Sequence, residues 1–275
     1  MINADTFREQ LRADGAYSTP DRVDLALRYR LFGRWDFFYK WSVFKIVVRG
    51  AKLGRSGGWN QDAWLDLSLD MARCIEGCGG RLEISGGEHM VGLKGPVVIV
   101  ANHMSLLETF AMPSVVLPFS DLTFVVKESL TRMPLFKDVM KGSKPISVGR
   151  KNPRDDLKKI MTLGPKELAA GRCVAMFPQA TRSAVFRPST FNTLGMKLAK
   201  RAGVPVVPLA LKTDMHGLGG GWIRDFGPVD RSKVVRFKFG PPVDITGNGR
   251  DAHAACIRFI SENLRKWGGQ VEDDA

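Results

Sequence analysis

The feature that most constrains the fold is a series of short apolar runs between residues 81 and 240. There are seven such runs: "RLEIS", "VVIVA", "LTFVV", "PISVG", "CVAMF", "PVVPLAL" and "VVRFKFG". Turn residues or segments with helical periodicity separate each run from the next. A strand that is apolar on both faces is typical of a sheet covered by helices on both sides. One helical pattern begins after Ser105, and others cover residues 64–80, 155–171, 192–203 and 251–267. The sequence therefore predicts a single α/β domain with a mostly buried mixed sheet flanked by helices.

The first 60 residues have a different composition. Residues 22–55 contain nine Lys or Arg against two Asp, and eight of the 25 aromatic residues fall within residues 29–44. Phe37, Trp41, Phe44 and Val48 recur at helical spacing and form an apolar stripe. Aromatic rings beside basic side chains are typical of a helix at a membrane interface, whereas the alternative is a helix packed on the protein's own core.

This contrast suggests two parts. We expect residues 1–60 to form a helical, basic and aromatic membrane-interface segment, which ends in a linker at "GRSGGWN" (54–60). Residues 61–275 would form the α/β domain.

The formal net charge of +13 indicates an anionic partner, which could be nucleic acid, a membrane surface or a phosphorylated substrate. The basic residues accompany no recognisable nucleic-acid-binding motif, so we expect an anionic membrane surface, contacted through the region Arg22–Arg55, and no nucleic acid. The chain shows no secretory signal, and its apolar runs are too short to span a bilayer. We therefore expect a peripheral protein on the cytoplasmic face of the membrane.

The segment "VANHMSLLET" (100–109) places His103 five residues before Glu108, directly after a predicted strand. Ser105 and Glu108 also fit the capping-box pattern at a helix start, so the glutamate could serve the backbone alone. On a continuous helix the two side chains would diverge by about 140°, but a histidine in the preceding loop could fold back onto the carboxylate. Both interpretations stay open on spacing alone.

Several blocks make the sequence recognisable. "NHMSLLE" resembles the His-x4-Asp motif of the glycerolipid acyltransferases, the family of lysophosphatidate (1-acylglycerol-3-phosphate) acyltransferase. Further blocks resemble the family's in order: "KESLTRMPLF", "GSKPISVGR", "FPQATRS", "GVPVVPLAL" and "FGPPVD". The resemblance runs from about residue 81 to residue 245.

The resemblance implies transfer of a fatty acyl group from acyl-CoA or acyl carrier protein to the free hydroxyl of a lysophospholipid, with lysophosphatidic acid as the leading acceptor. His103 would be the general base and Glu108 would orient it, without an acyl-enzyme and without a cofactor. Arg150 and Arg182 match positions that bind the acceptor phosphate, for which two guanidinium groups are suited.

Further residues of these blocks are candidates for contact with substrate. Gln179 and Thr181 belong to the same block as Arg182, and Thr181 could add a hydroxyl contact. Lys127 and the amides at the helix start are candidates for stabilising the thioester oxygen.

Three positions depart from the family pattern. Glu108 replaces the commoner Asp, Gln179 replaces Glu, and Ala180 replaces Gly. The changes at 179 and 180 leave the acceptor open, so another lysolipid is the alternative, as is a non-catalytic protein that binds lipid or nucleic acid.

Cysteines and the remaining histidines suggest neither disulfides nor a metal site. Cys74 and Cys78 lack a nearby histidine, and His89, His216 and His253 lack metal-ligand spacing. We expect reduced structural thiols and no bound metal.

Overall fold

The computed structural model describes residues 3–23, 25–27, 29, 35–220 and 227–272. At its centre lies an eight-stranded sheet in the order β1-β2-β9-β8-β3-β6-β4-β5. The strands are β1 (Tyr17–Ser18), β2 (Leu82–Ser85), β3 (Val98–Ala101), β4 (Asp121–Lys127), β5 (Ile146–Val148), β6 (Arg172–Met176), β8 (Val206–Lys212) and β9 (Val235–Phe239). A separate parallel pair joins β7 (Val185–Phe186) to β10 (Gln270–Val271).

Each of the seven apolar runs forms a strand of the large sheet, which confirms the predicted α/β class. The sheet is mixed, since β8 and β9 pair antiparallel and the edge strand β1 runs antiparallel to β2. From β8 across β3, β6 and β4 to β5 all neighbours are parallel. These five strands therefore place their carboxyl ends at one edge of the sheet, where α/β folds bind ligands.

Helices cover both faces of the sheet. They are α1 (Ala4–Asp14), α2 (Asp36–Ser56), α3 (Gln61–Gly77), α4 (Glu88–Val91), α5 (Leu107–Val116), α6 (Phe136–Ser143), α7 (Pro153–Ala169), α8 (Leu194–Ala202) and α9 (Arg250–Lys266), with 3-10 turns at Glu128–Thr131 and Pro188–Thr190. On β3, Ile99 packs in the core on one face with α3 and α5, while Val98 and Val100 pack on the other face with α7, α8 and α9. Because both faces are buried, the strand needs no polar alternation.

The first 60 residues share the core of the α/β body. β1 pairs with β2, and Phe7, Tyr39 and Ile46 belong to the same core cluster as the sheet residues. Helix α2 is buried along the face that carries Tyr39 and Ile46, whereas its predicted apolar stripe is exposed. Of the basic segment, Arg28, Arg30 and Arg34 lie outside the described residues.

The predicted linker at residues 54–60 is wrong at its start, because α2 continues to Ser56. Helix α6 packs closely against this last turn: a Cβ at Gly54 would lie 1.9 Å from the carbonyl oxygen of Asp138. Glycine here serves close helix packing, and only four residues separate α2 from α3. Within the described residues, no helix combines the length and the apolar character needed to cross a bilayer.

Candidate active site

The predicted site residues follow the carboxyl ends of neighbouring parallel strands. His103 follows β3, the block 177–183 follows β6, and Arg150 follows β5. Asn102 ties the loop after β3 to the next strand, because its side-chain amide both donates to the carbonyl of Leu211 and accepts from its N–H, each at 2.8 Å. Loops that are distant in sequence therefore meet at one edge of the sheet.

His103 and Glu108 form a dyad. Nδ1 of His103 lies 2.8 Å from Oε1 of Glu108, which is fully buried. His103 stands in the loop before α5 and folds back over the first turn, as the loop interpretation predicted. With Nδ1 engaged by a carboxylate, the imidazole has its Nε2 for proton transfer, since the partner fixes the tautomer.

Glu108 also serves the backbone, so the two interpretations of the motif hold together. Its carboxylate accepts from the N–H groups of Met104 (2.6 Å) and Ser105 (2.9 Å), and Ser105 Oγ accepts from the N–H of Leu107 at 3.1 Å. Glu108 therefore engages the first two of these amides, and the side chain of Ser105 engages the third. The expectation that they would stabilise the thioester oxygen is therefore wrong for these three amides.

Hydroxyl groups complete the shell of the carboxylate. Ser105 Oγ lies 2.9 Å from Oε2 of Glu108, and the hydroxyl of Thr213 also donates to Oε2. Burial raises the pKa of Glu108, but the hydrogen bond and charge of His103 and the hydrogen bonds from Thr213 and Ser105 outweigh it. The pKa therefore lies below its ordinary value, and Glu108 is an anion at neutral pH.

The block after β6 holds His103 from the other side. The ring of Phe177 stacks on the imidazole, with centroids 4.1 Å apart and planes 14° from parallel. Oε1 of Gln179 accepts from the main-chain N–H of His103 at 2.9 Å, and the His103 carbonyl accepts from the N–H of Ser183, also at 2.9 Å. His103 is therefore fixed by its ring, its amide and its carbonyl.

Arg150 lies on the same edge in an unusual backbone conformation. Its φ is +58°, and Asp156 accepts hydrogen bonds from the N–H groups of Gly149 and Arg150, each at 2.8 Å. The guanidinium donates to the carbonyl of Ala180, which itself has a φ of +61°. Ala180 thus adopts the left-handed conformation despite its methyl group. Burial lowers the pKa of Arg150 and the charge of Asp156 opposes that shift.

A cavity of about 380 Å³ brings most of the predicted residues together. The polar part of its wall includes His103, Lys127, Arg150, Thr181 and Arg182. The remainder is largely apolar and includes Trp59, Trp64, Leu67, Phe110, Phe124 and Val139. Such a shape suits a ligand with a charged head and a hydrocarbon chain.

Two predicted site residues lie behind this wall. Glu108 contacts His103, as predicted, and is shielded from solvent. Gln179 was expected to contact substrate, but it is buried and its Oε1 is bound to the His103 amide. Its place in the motif suggested contact with substrate, whereas the structure shows its side chain holding the main chain of His103.

Thr213 was missed by the sequence analysis. It directly follows β8, so the signal was a polar residue at the carboxyl end of a buried strand. Only the register of β8 against β3 shows that its hydroxyl meets Glu108. The described residues contain no group of three or more side chains that could hold a metal ion.

Comparisons with known proteins point to one family. A family model described as Acyltransferase matches residues 81–212. A 1-acyl-sn-glycerol-3-phosphate acyltransferase from Pseudomonas aeruginosa is 30% identical over 204 residues, which are 74% of this chain and 73% of that protein. One from Chlamydomonas reinhardtii is 31% identical over 70% of this chain and 57% of its own length. The crystal structure of the 1-acyl-sn-glycerophosphate acyltransferase PlsC from Thermotoga maritima shares the fold, with a TM-score of 0.58 at 18% identity over 77% of this chain and 82% of that one.

An α/β fold with a buried His–carboxylate pair beside a partly apolar, arginine-bearing cavity fits the acyltransferases that these comparisons name. The chain belongs to the acyltransferase family of the 1-acylglycerol-3-phosphate type, and the resemblance drawn from its motifs is confirmed. It is an O-acyltransferase.

Proposed function

We propose that the protein transfers a fatty acyl group from a thioester, acyl-CoA or acyl carrier protein, to the free hydroxyl of lysophosphatidic acid, giving phosphatidic acid. One observation carries the proposal: the dyad histidine and two arginines line a cavity whose other walls are apolar. The name of the Pseudomonas relative supports the same acceptor.

His103 acts as the general base in this proposal. Nε2 takes the proton of the acceptor hydroxyl while that oxygen bonds to the thioester carbonyl carbon. The tetrahedral intermediate then expels the thiolate, which receives the proton back from the imidazolium. Buried Glu108 stabilises the imidazolium between the two steps, as the carboxylate of a catalytic triad does.

The burial of the cysteines is consistent with direct transfer of the acyl group to the acceptor, without an acyl-enzyme. All four are buried, and burial raises the pKa of Cys173 and of Cys256. A thiol whose pKa is raised is a poor nucleophile at neutral pH, because the thiolate is the reactive form. The acyl group therefore passes to the acceptor without a cysteine intermediate.

Arg150 and Arg182 bind the acceptor phosphate. Both line the cavity beside His103, and a phosphate monoester accepts paired hydrogen bonds from guanidinium groups. Lys127 lines the same wall and supplies a positive charge for the thioester oxygen as it becomes negative. The apolar wall beside them receives hydrocarbon.

In this proposal, helix α2 binds an anionic membrane surface at the cytoplasmic face. Its stripe is exposed, at 62% for Phe37, 48% for Trp41 and 45% for Phe44, and the basic residues Lys45 and Lys52 are exposed on the same helix. Exposed aromatic residues beside basic ones suit the headgroup region of a bilayer. The same helix lines the cavity through Ile46 and Val47, which puts the acyl-binding wall next to the lipid surface.

Acceptor choice tests the proposal. We expect purified protein with acyl-CoA or acyl carrier protein to acylate lysophosphatidic acid, with much less product from lysophosphatidylcholine, whose phosphate is a diester. Arg182→Ala should raise the KM for lysophosphatidic acid about 10- to 100-fold, because a charge-assisted pair is lost. Product lipids are measured by mass spectrometry.

Arg258→Ala is the matched control, since Arg258 is exposed on α9 outside the site. It should leave the KM unchanged. Equal rates with both acceptors, insensitive to Arg182→Ala, would show that the acceptor is another lysolipid; binding of lipid without any transfer would show a non-catalytic protein.

A further inference from the structure

We propose that Thr213 is a positioning residue for acyl transfer, which holds the Glu108 carboxylate in the orientation that directs His103 toward the acceptor hydroxyl. The inference rests on the general-base function of His103 proposed above. Thr213 is fully buried and follows β8, on the side of the dyad opposite to the block after β6.

The hydroxyl of Thr213 sits between two oxygens of the motif. It donates to Oε2 of Glu108 and lies 3.0 Å from Ser105 Oγ, which in turn lies 2.9 Å from Oε2. Oε1 of the same carboxylate is hydrogen-bonded to Nδ1 of His103. One carboxylate oxygen thus orients His103, and the other is held by the residue that follows β8.

Thr213 differs from the other donors to Glu108. The contacts from His103, Met104 and Ser105 are local and come from the loop that carries the dyad. Within the described residues, the hydrogen bond from Thr213 is the one that reaches the carboxylate from a distant segment, the turn after β8, 105 residues along the chain. It fixes the dyad relative to the sheet, next to the contact of Asn102 with Leu211.

The turn that follows β8 is itself anchored. The N–H of His216 donates to the carbonyl of Thr213 at 3.2 Å, and the His216 ring packs edge-on against Tyr39 of α2, with centroids 5.6 Å apart. Since Thr213 lies behind the dyad and does not line the cavity, it acts through Glu108.

The hydrogen bond from Thr213 matters because residue 108 is a glutamate. A glutamate arm is one methylene longer than the aspartate typical of the motif, and it has one more rotatable bond. A local cap restrains it only from the helix side. The hydroxyl of Thr213, directly after β8, restrains the other oxygen, so fewer orientations compete with the one that meets His103.

Loss of the hydroxyl would affect the dyad in a predictable direction. An anion that loses a donor is less stable, and protonation of the pair, whichever group takes the proton, relieves that loss. As the pH falls, the active form with neutral His103 and ionised Glu108 would therefore be lost at a higher pH than in the wild type. His216 is the other described histidine whose charge interacts with Glu108, and burial lowers its pKa to about 4, so it stays neutral in the working range.

Thr213→Val and Thr213→Ser test the inference, because valine keeps the shape and serine keeps the hydroxyl. We expect Thr213→Val to lower kcat about 10-fold at unchanged KM and to move the acid limb of the kcat/KM–pH profile up by about half to one unit. Thr213→Ser should restore both. The downfield proton resonance of the His103 Nδ1–H, measured by NMR, should shift in the valine variant and return in the serine variant.

Thr123→Val is the matched control. Thr123 is also fully buried, on β4, but its hydroxyl lies 3.4 Å from the carbonyl of Lys144 rather than at the dyad. It should leave kcat, the pH profile and the resonance unchanged. Should Thr213→Val not fold, the pair Thr213→Ala and Thr213→Ser gives the same comparison.

Wild-type kcat and an unmoved acid limb in folded Thr213→Val would overturn the inference, as would equal losses in the serine and valine variants. Those results leave the general-base proposal intact as long as His103→Ala is inactive. If His103→Ala is active, the general-base proposal itself fails, so the two failures are distinguishable.

Discussion

At position 179 a neutral amide stands where the family pattern has a carboxylate. Its Oε1 accepts the main-chain N–H of His103 at 2.9 Å, a contact that either kind of oxygen can make. A carboxylate here would place a second anion, besides Glu108, among the buried residues around His103, and like charges in a buried site are unfavourable. The glutamine therefore keeps the hydrogen bond and avoids the repulsion.

Gln179→Met tests this role at the residue scale. Methionine fills a similar volume but leaves the buried His103 N–H without a strong acceptor, so we expect a loss of about 1–3 kcal/mol in the free energy of unfolding. We also expect kcat/KM to fall about 10-fold, because the loop that carries His103 loses this hydrogen bond and becomes more mobile. Denaturant titration and steady-state kinetics measure the two effects.

Gln10→Met on α1 is the control for the substitution itself. It should change neither quantity. A Gln179→Met enzyme with wild-type stability and rate would mean that the amide does not hold the base.

At the scale of elements, helix α2 has one face buried in the core and another exposed to solvent. Tyr39, Val43 and Ile46 pack into the core, while Phe37, Trp41 and Phe44 stack along the exposed side, with 6.4 Å between the first two ring centroids and 5.4 Å between the last two. Helical spacing predicted the stripe, and the structure excludes packing on the protein's own core as its explanation. Because the other face is core, deleting the segment would disturb the fold, and point variants are the better test.

Trp41→Ser with Phe44→Ser should lower binding to anionic vesicles at least 10-fold, since two interfacial rings are lost. Cosedimentation with vesicles of phosphatidylglycerol and phosphatidylcholine measures the binding. Raising the salt concentration should weaken the binding of the wild type, because basic side chains contribute through a screened field.

Val91→Ser is the control, since Val91 is 54% exposed on the short helix α4, outside the stripe. It should bind vesicles as the wild type does. If the double variant also binds as the wild type does, α2 is not the membrane-binding element.

At the scale of the whole molecule, local patterns were enough for much of the fold. The seven apolar runs became strands, and the five-residue spacing of His103 and Glu108 became a hydrogen-bonded pair. Spacing could predict the pair because both residues lie within one loop and the turn that follows it. The apolar stripe of α2 was likewise local information.

Other features depend on contacts between distant segments. Gln179 and Thr213 reach the dyad from 76 and 105 residues away, through the order and register of β3, β6 and β8. The continuation of α2 past Gly54 depends on the approach of α6, and the two-residue strands β1, β7 and β10 are too short to show a pattern. The periodicity of a single segment cannot predict these contacts, because each of them joins segments that are far apart in the sequence.

The most direct test of the mechanism is the rate of acyl transfer by His103→Ala, compared with the wild type at saturating thioester and lysophosphatidic acid. Circular dichroism and thermal unfolding would establish that the variant is folded. Loss of a general base predicts a fall in kcat of about 10²- to 10⁴-fold. A folded variant that transfers the acyl group at the wild-type rate would contradict the assignment of His103 as the base.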